Sequence, residues 1–440
     1  MHFKGCGNFS GHSCGYACAA IVAALAALAQ TKSAVAQIPC RYDVEIIPNV
    51  NCGIIGQGPM ILSAINNHGE VIGWSLGCGE PGQYRSYTWL SGPTLTQLPV
   101  PPGAVGFRAA DLNDNGLICG IADIDISQSP PATLIVQRAY VYNRKTNVWT
   151  QIPPVNTQIG WSSAAALNNA GLVVGSRGIG NDFHGGPHNA FIFDSNTGII
   201  TDLGVMNGPN SGAMAVSENG IVVGWTGTGY LIPEDARAFL HASGSTAIVP
   251  AIPNGLNSNG VGVNSNAQVL VIGVLDQPGP LVSRTSVYQS GNTQPLAVPP
   301  GFDRLFASSI TETGLIAGGC NTIADSTPAG FLWLGTHFES INSLVPSSAG
   351  FTRLAVSRIN ENKFLIGGAF LGDQMINVRL MPRPTIAGDA TCDEFVNVND
   401  LLAVINSWGP CNGCHADLDH NGAVSVWDLF IVVQNWGNSS

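Results

Sequence analysis

Apolar and polar positions alternate along this chain in short runs, and one arrangement of them recurs. In Ala64–Gly73 (A-I-N-N-H-G-E-V-I-G) an apolar residue runs into Asn, two polar residues and Gly turn the chain, and an apolar run closes on a second Gly. The arrangement returns at Leu112–Gly120 (L-N-D-N-G-L-I-C-G), Leu167–Gly175, Val216–Gly224, a degraded Val263–Gly273, Ile310–Gly318 and Ile359–Gly367. The closing glycines stand at 73, 120, 175, 224, 273, 318 and 367, a spacing close to 49. Each copy reads as a β-hairpin. A four-residue turn with Gly last suits a type I turn followed by a left-handed residue that sets a bulge. The turn glycines are Gly69, Gly116, Gly171, Gly220 and Gly314. Copies five and seven carry Ala267 and Lys363 there, which predicts strained or differently shaped turns.

A short aromatic strand follows most hairpins, as in Ser86–Trp89 (S-Y-T-W), Ala139–Tyr142 (A-Y-V-Y), Ala190–Phe193 (A-F-I-F), Ala238–His241 (A-F-L-H) and Gly330–Trp333 (G-F-L-W). A third strand and a Pro/Gly turn complete the unit. Seven units of three to four strands predict a mainly β chain, closed as a seven-bladed β-propeller over residues 37–381. A non-closing β-solenoid or a pair of sandwiches is the alternative.

The I-N-x-x-G-x-[IV]-[IV]-G core followed by A-F-[LI]-[WF] resembles the HAF repeat of bacterial extracellular proteins. The His-Ala-Phe triplet is nearest at His188-Asn189-Ala190-Phe191, with one residue inserted. The resemblance covers about residues 40–380 and implies export and a propeller-like fold. It brings no catalytic residues with it.

Composition sharpens this picture. Gly is abundant at 54 residues, Lys plus Arg number only 17, and charged residues make up 10%, as suits a turn-rich secreted β protein. A formal charge of −11 argues against nucleic acid, because nothing would neutralise phosphates. Residues 1–36 read as a signal peptide: Lys4 in the n-region, an apolar run Ala17–Ala29, and Ala34-Val35-Ala36 as the cleavage site before Gln37. An uncleaved anchor is the alternative; after cleavage no stretch is expected to enter a membrane, and the protein is expected outside the cell. Eight cysteines then remain: Cys40, Cys52, Cys78, Cys119, Cys320, Cys392, Cys411 and Cys414. An even number in an exported chain predicts disulfides, with the pairing open. Cys411-Asn412-Gly413-Cys414 lacks a second C-x-x-C and a thioredoxin-like context, so a structural bridge in or near the C-terminal module is expected.

Past a proline-spaced linker at 382–387, the segment 388–440 holds seven acidic residues and no Lys or Arg. Their spacing is regular. Asp417, Asp419, Asn421 and Ser425 occupy positions 1, 3, 5 and 9 of a twelve-residue loop that has Gly422 at 6, Ala423 at 7 and Asp428 at 12. That alternation turns oxygen ligands inward for Ca²⁺, with the Ala423 carbonyl at position 7 and Ser425 acting through water. A second loop starts 28 residues earlier with Asp389, Thr391, Asp393, the Phe395 carbonyl, Asn397 and Asp400. Thr391 and Glu394 depart from the pattern, predicting weaker binding or altered geometry there. Leu401, Leu402, Ile405 and Trp408 match Leu429, Phe430, Val433 and Trp436 as an apolar stripe closed by Gly409 or Gly437, so each loop opens one amphipathic helix.

Two such loop-helix units resemble the type I dockerin domain over 388–437. The resemblance implies two Ca²⁺ ions and a cohesin-like partner. The hydroxyl pair that typical dockerins carry at loop positions 10 and 11 is replaced by Val398-Asn399 and Val426-Trp427.

Other signals lead nowhere chemical. Asp111–Gly116 imitates the opening of a calcium loop, but Ala122 at position 12 cannot ligate, and the segment belongs to a hairpin. His184 and His188 flank Gly185-Gly186-Pro187 and are read as surface-loop residues. No nucleophile elbow, phosphate loop or histidine-centred triad appears, and Asp202, Asp235, Asp276 and Asp325 lack paired context. Trp74, Trp89, Trp161, Trp225 and Trp333 are expected mostly in the core or at unit edges. Three readings follow. The first is an exported, non-catalytic binding or scaffold protein that docks through calcium to a cohesin-like or cell-surface partner. The second is a dockerin-tethered polysaccharide-active hydrolase or lyase, and the third a calcium-rigidified surface or matrix protein.

Overall fold

Asn explains why the repeated hairpin folds. The Asn66 side-chain oxygen accepts the N–H groups of His68 (3.1 Å) and Glu70 (2.9 Å), while the Gly69 N–H donates to the Asn66 carbonyl. Asn113, Asn168, Asn264 and Asn360 repeat the fifth-residue bond, and the Ser217 and Thr311 hydroxyls take it over in copies four and six. The amide nitrogen is then free to reach the next copy. Asn113 donates to the Asn168 carbonyl (3.0 Å), Asn168 to Ser217 (2.9 Å), Asn264 to Thr311 (3.1 Å) and Asn360 back to Asn66 (2.6 Å). The separate acceptor and donor arms of an amide close its own turn and clasp its neighbour, whereas the Ser217 hydroxyl closes its turn and gives its proton to Asn219 Oδ1 (2.7 Å) within the same copy.

The computed structural model describes residues 37–439 apart from 53–55, 77–82, 128–133, 156–159, 181–185, 229–234, 277–278 and 412. The candidate signal peptide at 1–36, Cys78 and His184 lie outside the described residues.

The hairpins lie in antiparallel units of four strands: five form separate four-stranded sheets, and those of copies three and four join into one eight-stranded sheet through a parallel bridge of His188 to Asn210. A representative unit runs Ser162–Leu167, Leu172–Gly178, His188–Asp194 and Ile200–Gly204, the third strand being the aromatic one. Six units are built in chain order. The seventh takes three strands from Arg353–Ile359, Leu365–Leu371 and Gln374–Pro382, and its outer strand, Tyr42–Ile47, comes from the other end of the chain. Register runs from Tyr42 opposite Pro382 to Ile47 opposite Asn377. Apolar clusters fill the space between neighbouring units. Phe107, Leu112 and Ile118 of the second meet Ile72 of the first, and Ile366 of the seventh packs with Met60, Val71 and Trp89 of the first. The architecture is mainly β and propeller-like. Trp89, Trp161, Trp225 and Trp333 are buried, in line with the core role expected of them.

The first strand of every unit carries a bulge, at Leu62/Ala64, Ala109/Asp111, Ala164/Ala166, Ala213/Ala215, Gly260/Gly262, Ala307/Ser309 and Val356/Arg358. The closing glycine of the motif faces that bulge. A Cβ on Gly175 would stand 1.9 Å from the Ser163 carbonyl oxygen, and one on Gly120 would stand 2.2 Å from that of Arg108. The close approach of two backbones, not turn geometry, is what requires this second Gly.

The turns at Ala267 and Lys363 keep the shape of the others, with φ of 56° and 63° beside 85° at Gly314. They are therefore strained rather than differently shaped. A left-handed non-Gly residue costs about 1–2 kcal/mol, so Ala267→Gly and Lys363→Gly are each expected to raise the urea midpoint by roughly 1 kcal/mol of stability. An unchanged or lowered midpoint in both would contradict the strain.

Cysteines depart from the simple expectation. Cys40 bonds Cys392, and Cys411 bonds Cys414 as the structural bridge foreseen, but Cys119 and Cys320 are buried free thiols packed in the apolar clusters between units. His188 is also corrected. It opens a strand, is buried between Trp161 and Trp225, and its Nδ1 lies 3.1 Å from the Gly186 carbonyl oxygen. Burial pushes its pKa down. Helices are few among the described residues: α1 is a single turn, Ile341–Leu344, and α2 (Val398–Asn406) and α3 (Val426–Gln434) form the C-terminal module.

Candidate metal centre and channel

Both acidic loops adopt one backbone. In the second, His420 and Gly422 are left-handed at positions 4 and 6 (φ 56° and 89°). In the first, Cys392 and Glu394 occupy the same places at 59° and 72°. Glu394 thus keeps the turn geometry and accepts its strain; its carboxylate is tied down by Arg383, which also pairs with Asp43 at 2.6 Å. The expected distortion of this loop is absent.

Each loop converges three carboxylates. Asp417, Asp419 and Asp428 each offer an oxygen, all within 4.8 Å of one another, and so do Asp389, Asp393 and Asp400. Backbone donors hold them in place. Asp417 accepts from Asn421 N (3.0 Å) and Gly422 N (2.8 Å), and Asp428 accepts from Leu418 N (2.7 Å), Asp419 N (3.1 Å) and Ser425 N (2.8 Å). In the first loop Asp389 accepts from Asp393 N and Glu394 N, and Asp400 from Thr391 N and Asn397 N. The Thr391 hydroxyl donates to Asp400 at 2.8 Å. Burial, followed by the neighbouring carboxylates, pushes Asp389 and Asp417 above the usual range. Like charges held this close favour a cation between them.

The remaining positions have mixed duties. Asn397 and Ser425, at position 9, are the N-caps of α2 and α3, each completing a capping box with the aspartate at position 12. Loop end and helix start are therefore one device. Asn421 caps its own turn, accepting from Ala423 N at 3.0 Å. Ala423 pairs with Pro410, and the exposed Phe395 bridges to Ser439. The helix stripes are corrected. Val404 and Val432 form the buried side with Leu401 and Leu429 beside them, whereas Leu402, Ile405, Trp408, Phe430, Val433 and Trp436 are exposed.

A second site escaped sequence inspection. The inner strands of all seven units line one cavity of about 230 Å³. Around one mouth runs a belt made by the residue after each turn Asn or its substitute, with Asn219 standing in for Glu218 at the step from the fourth copy to the fifth. Asn67 donates to Asp114 (2.8 Å), Asp114 N to Asn169 (2.9 Å), and Asn169 to Glu218 (3.0 Å). Asn219 N then donates to Ser265 (3.3 Å), Ser265 to Glu312 (3.0 Å), Glu312 N to Glu361 (3.0 Å), and Glu361 N back to Asn67 (2.9 Å). Deeper in, the position two before each turn Asn or its substitute is Ala64, Asp111, Ala166, Ala215, Gly262, Ser309 and Arg358. Stacking the seven copies position by position would have exposed the two charged exceptions. Asp111 accepts from Leu112 N and Leu167 N, both 2.9 Å, and burial pushes its pKa up to about 6.

Glu361 is the most perturbed member of the belt. Burial first, then Glu312, Glu218 and Asp114, push its pKa up to about 7 from 4.5. The folded state then holds this proton more tightly than the unfolded chain. The stabilising contribution is full below pH 4.5 and is lost as pH rises to about 7. Glu361→Gln keeps an acceptor for Glu312 N and removes the titration. It is expected to melt about 2 °C higher than the parent at pH 8 and to match it near pH 4.5; a difference that does not vary with pH would contradict the assignment.

Residues 104–318 match the model of a family described as a protein of unknown function, DUF3466. The chain has no match among curated proteins. Its fold is similar to that of the β-propeller domain of the Trilobed protease from Pyrococcus furiosus, described as having an open velcro topology. There identity is 10% and the TM-score 0.46, over 73% of this chain and 93% of that one. A puromycin hydrolase is similar at 12% identity and TM-score 0.47, over 79% of this chain and 55% of the other. A PL25 polysaccharide lyase, an ulvan lyase bound to -[GlcA(1-4)Rha3S]-, is similar at 10% identity and TM-score 0.42, covering 77% and 95%.

Proposed function

We propose that this chain is an exported, non-catalytic binding protein: a seven-bladed β-propeller presenting a ligand surface, joined to a dockerin-like, calcium-dependent docking module at 388–440. The observation that carries the reading is the duplicated loop-helix unit with a carboxylate triad at each helix start. Calcium takes six to eight hard oxygens. The second loop supplies them from Asp417, Asp419, Asn421, the Ala423 carbonyl, Ser425 and Asp428, and the first from Asp389, Thr391, Asp393, the Phe395 carbonyl, Asn397 and Asp400. Two disulfides among the described residues support an oxidising destination. The exposed apolar rows on α2 and α3, with Trp427 64% exposed beside them, support a protein partner of cohesin-like or cell-surface type. With Val and Trp where dockerins carry hydroxyls, the contact is apolar in character.

Calorimetric titration of the EDTA-treated full chain should give two Ca²⁺ sites, the first loop weaker by about tenfold because Thr391 supplies no charge. Asp428→Asn and Asp400→Asn should each remove one site. No heat at millimolar Ca²⁺, or unchanged stoichiometry in both variants, would end the reading.

A further inference from the structure

The channel carries a pair of opposite charges whose placement the fold does not explain. At the equivalent position the other five units have Ala, Ala, Ala, Gly and Ser. Where that residue is polar it can act structurally: Ser309 accepts the Ile359 N–H at 2.9 Å and Asp111 the Leu167 N–H at 2.9 Å, each in the following unit. Arg358 has only donors and cannot play that part. One of its N–H groups donates to the Ser357 carbonyl on its own strand at 2.9 Å. Its other interaction is electrostatic, with Asp111. The two are coupled but make no ion pair, and Asp111 keeps unused lone pairs on its oxygens.

Arg358 and Asp111 belong to the seventh and second units, and between them lies the first, which contributes only the Ala64 methyl at this level. The gap is therefore bounded by a cation on one side and an anion on the other, with a methyl between them. Among the described residues Arg358 is the one cationic side chain lining the cavity, while Asp114, Glu218, Glu312 and Glu361 form the rim. A purely anionic ligand would pay Coulombic repulsion at that rim. A purely cationic one would leave the guanidinium unanswered. A guanidinium binds a carboxylate through two parallel N–H···O bonds, and a carboxylate such as Asp111 accepts from an ammonium.

We infer that the channel is a binding site for a small zwitterion of the α-amino-acid class, its carboxylate on Arg358 and its ammonium on Asp111 facing the acidic rim. This specifies the ligand of the propeller face in the reading above and stands apart from the calcium loops. The cavity of about 230 Å³ limits the ligand to amino-acid size.

The test is calorimetric titration of the full chain, in calcium, with glycine and L-lysine. Acetate and glucuronate serve as anion-only probes and putrescine as a cation-only probe. The amino acids are expected to bind at least tenfold more tightly than any single-sign probe, L-lysine more tightly than glycine. Arg358→Gln, whose lost side-chain hydrogen bond is local to its own strand, should weaken them at least tenfold while leaving the calcium stoichiometry unchanged. Asp111→Asn should weaken them too; since Asp111 also holds the third unit, the Arg358 variant decides if that protein melts early. Binding by none of the probes, glucuronate or putrescine matching the amino acids, or wild-type affinity in Arg358→Gln would each overturn the inference. If two Ca²⁺ sites are still measured, the calcium reading survives that failure.

Discussion

Gly367→Ala is expected to destabilise the protein by about 3 kcal/mol, near the upper end of overpacking costs. An added Cβ would lie 1.8 Å from the Ala355 carbonyl oxygen, 2.8 Å from the Ala355 carbonyl carbon and 3.0 Å from Val356 Cα. All three are backbone atoms of the bulged neighbouring strand, so no rotamer change relieves the contact. The hairpin must open, and Gly367 sits in the middle of the unit completed by Tyr42–Ile47. Gly368→Ala is the control. There the nearest atom is the mobile end of Met375 at 3.2 Å, and the cost should stay below about 1 kcal/mol. Urea melts of the two variants read the difference directly; equal costs would show that the bulge does not set the requirement for Gly.

The hairpins were legible because their logic is local. Asn, two polar residues and Gly turn the chain through bonds within five residues, and the repeat of the copies pointed to a mainly β, propeller-like chain. The reason for the second Gly was not legible, since it depends on a bulge in the facing strand. The origin of the seventh unit's outer strand was equally hidden: Tyr42–Ile47 and Gln374–Pro382 share no local signal and lie over three hundred residues apart. His188 looked like loop because it follows Gly-Gly-Pro, yet strand alternation turns it inward against two Trp rings. The acidic loops were read residue by residue, and their carboxylates do converge. What spacing concealed was direction. The apolar rows on α2 and α3 look like core in sequence, but Asp400 and Asp428 must point inward to close the loops. Leu402 and Phe430, two residues on, are thereby turned outward. Arg358 and Asp111 went unnoticed for a different reason: each is unremarkable in its own copy and significant only against the other six.

Loss of the Cys40–Cys392 disulfide is expected to have the largest effect of any change outside the sheets. The bond spans 352 residues of sequence and joins the stretch just before the outer strand of the seventh unit to position 4 of the first acidic loop. Loop-closure entropy for a ring this long places the stabilisation at up to about 5 kcal/mol. Its surroundings are assembled with it: Arg41 Nε donates to the Cys392 carbonyl at 2.8 Å, Arg383 bridges Asp43 to Glu394, and Ile38 is fully buried nearby in the cluster between the sixth and seventh units. Without the covalent tie, those contacts alone keep the Tyr42–Ile47 strand on its sheet and the first acidic loop against it. The double variant Cys40→Ser/Cys392→Ser should therefore melt at least 5 °C lower. It should also be cut by protease in the 382–387 linker, releasing the C-terminal module, whereas the parent resists. Since Cys392 lies inside the first loop, that loop alone should lose calcium affinity while the second keeps its own. Equal melting, equal resistance and equal calcium binding at both loops would mean that the disulfide follows the assembly of the two domains without holding it.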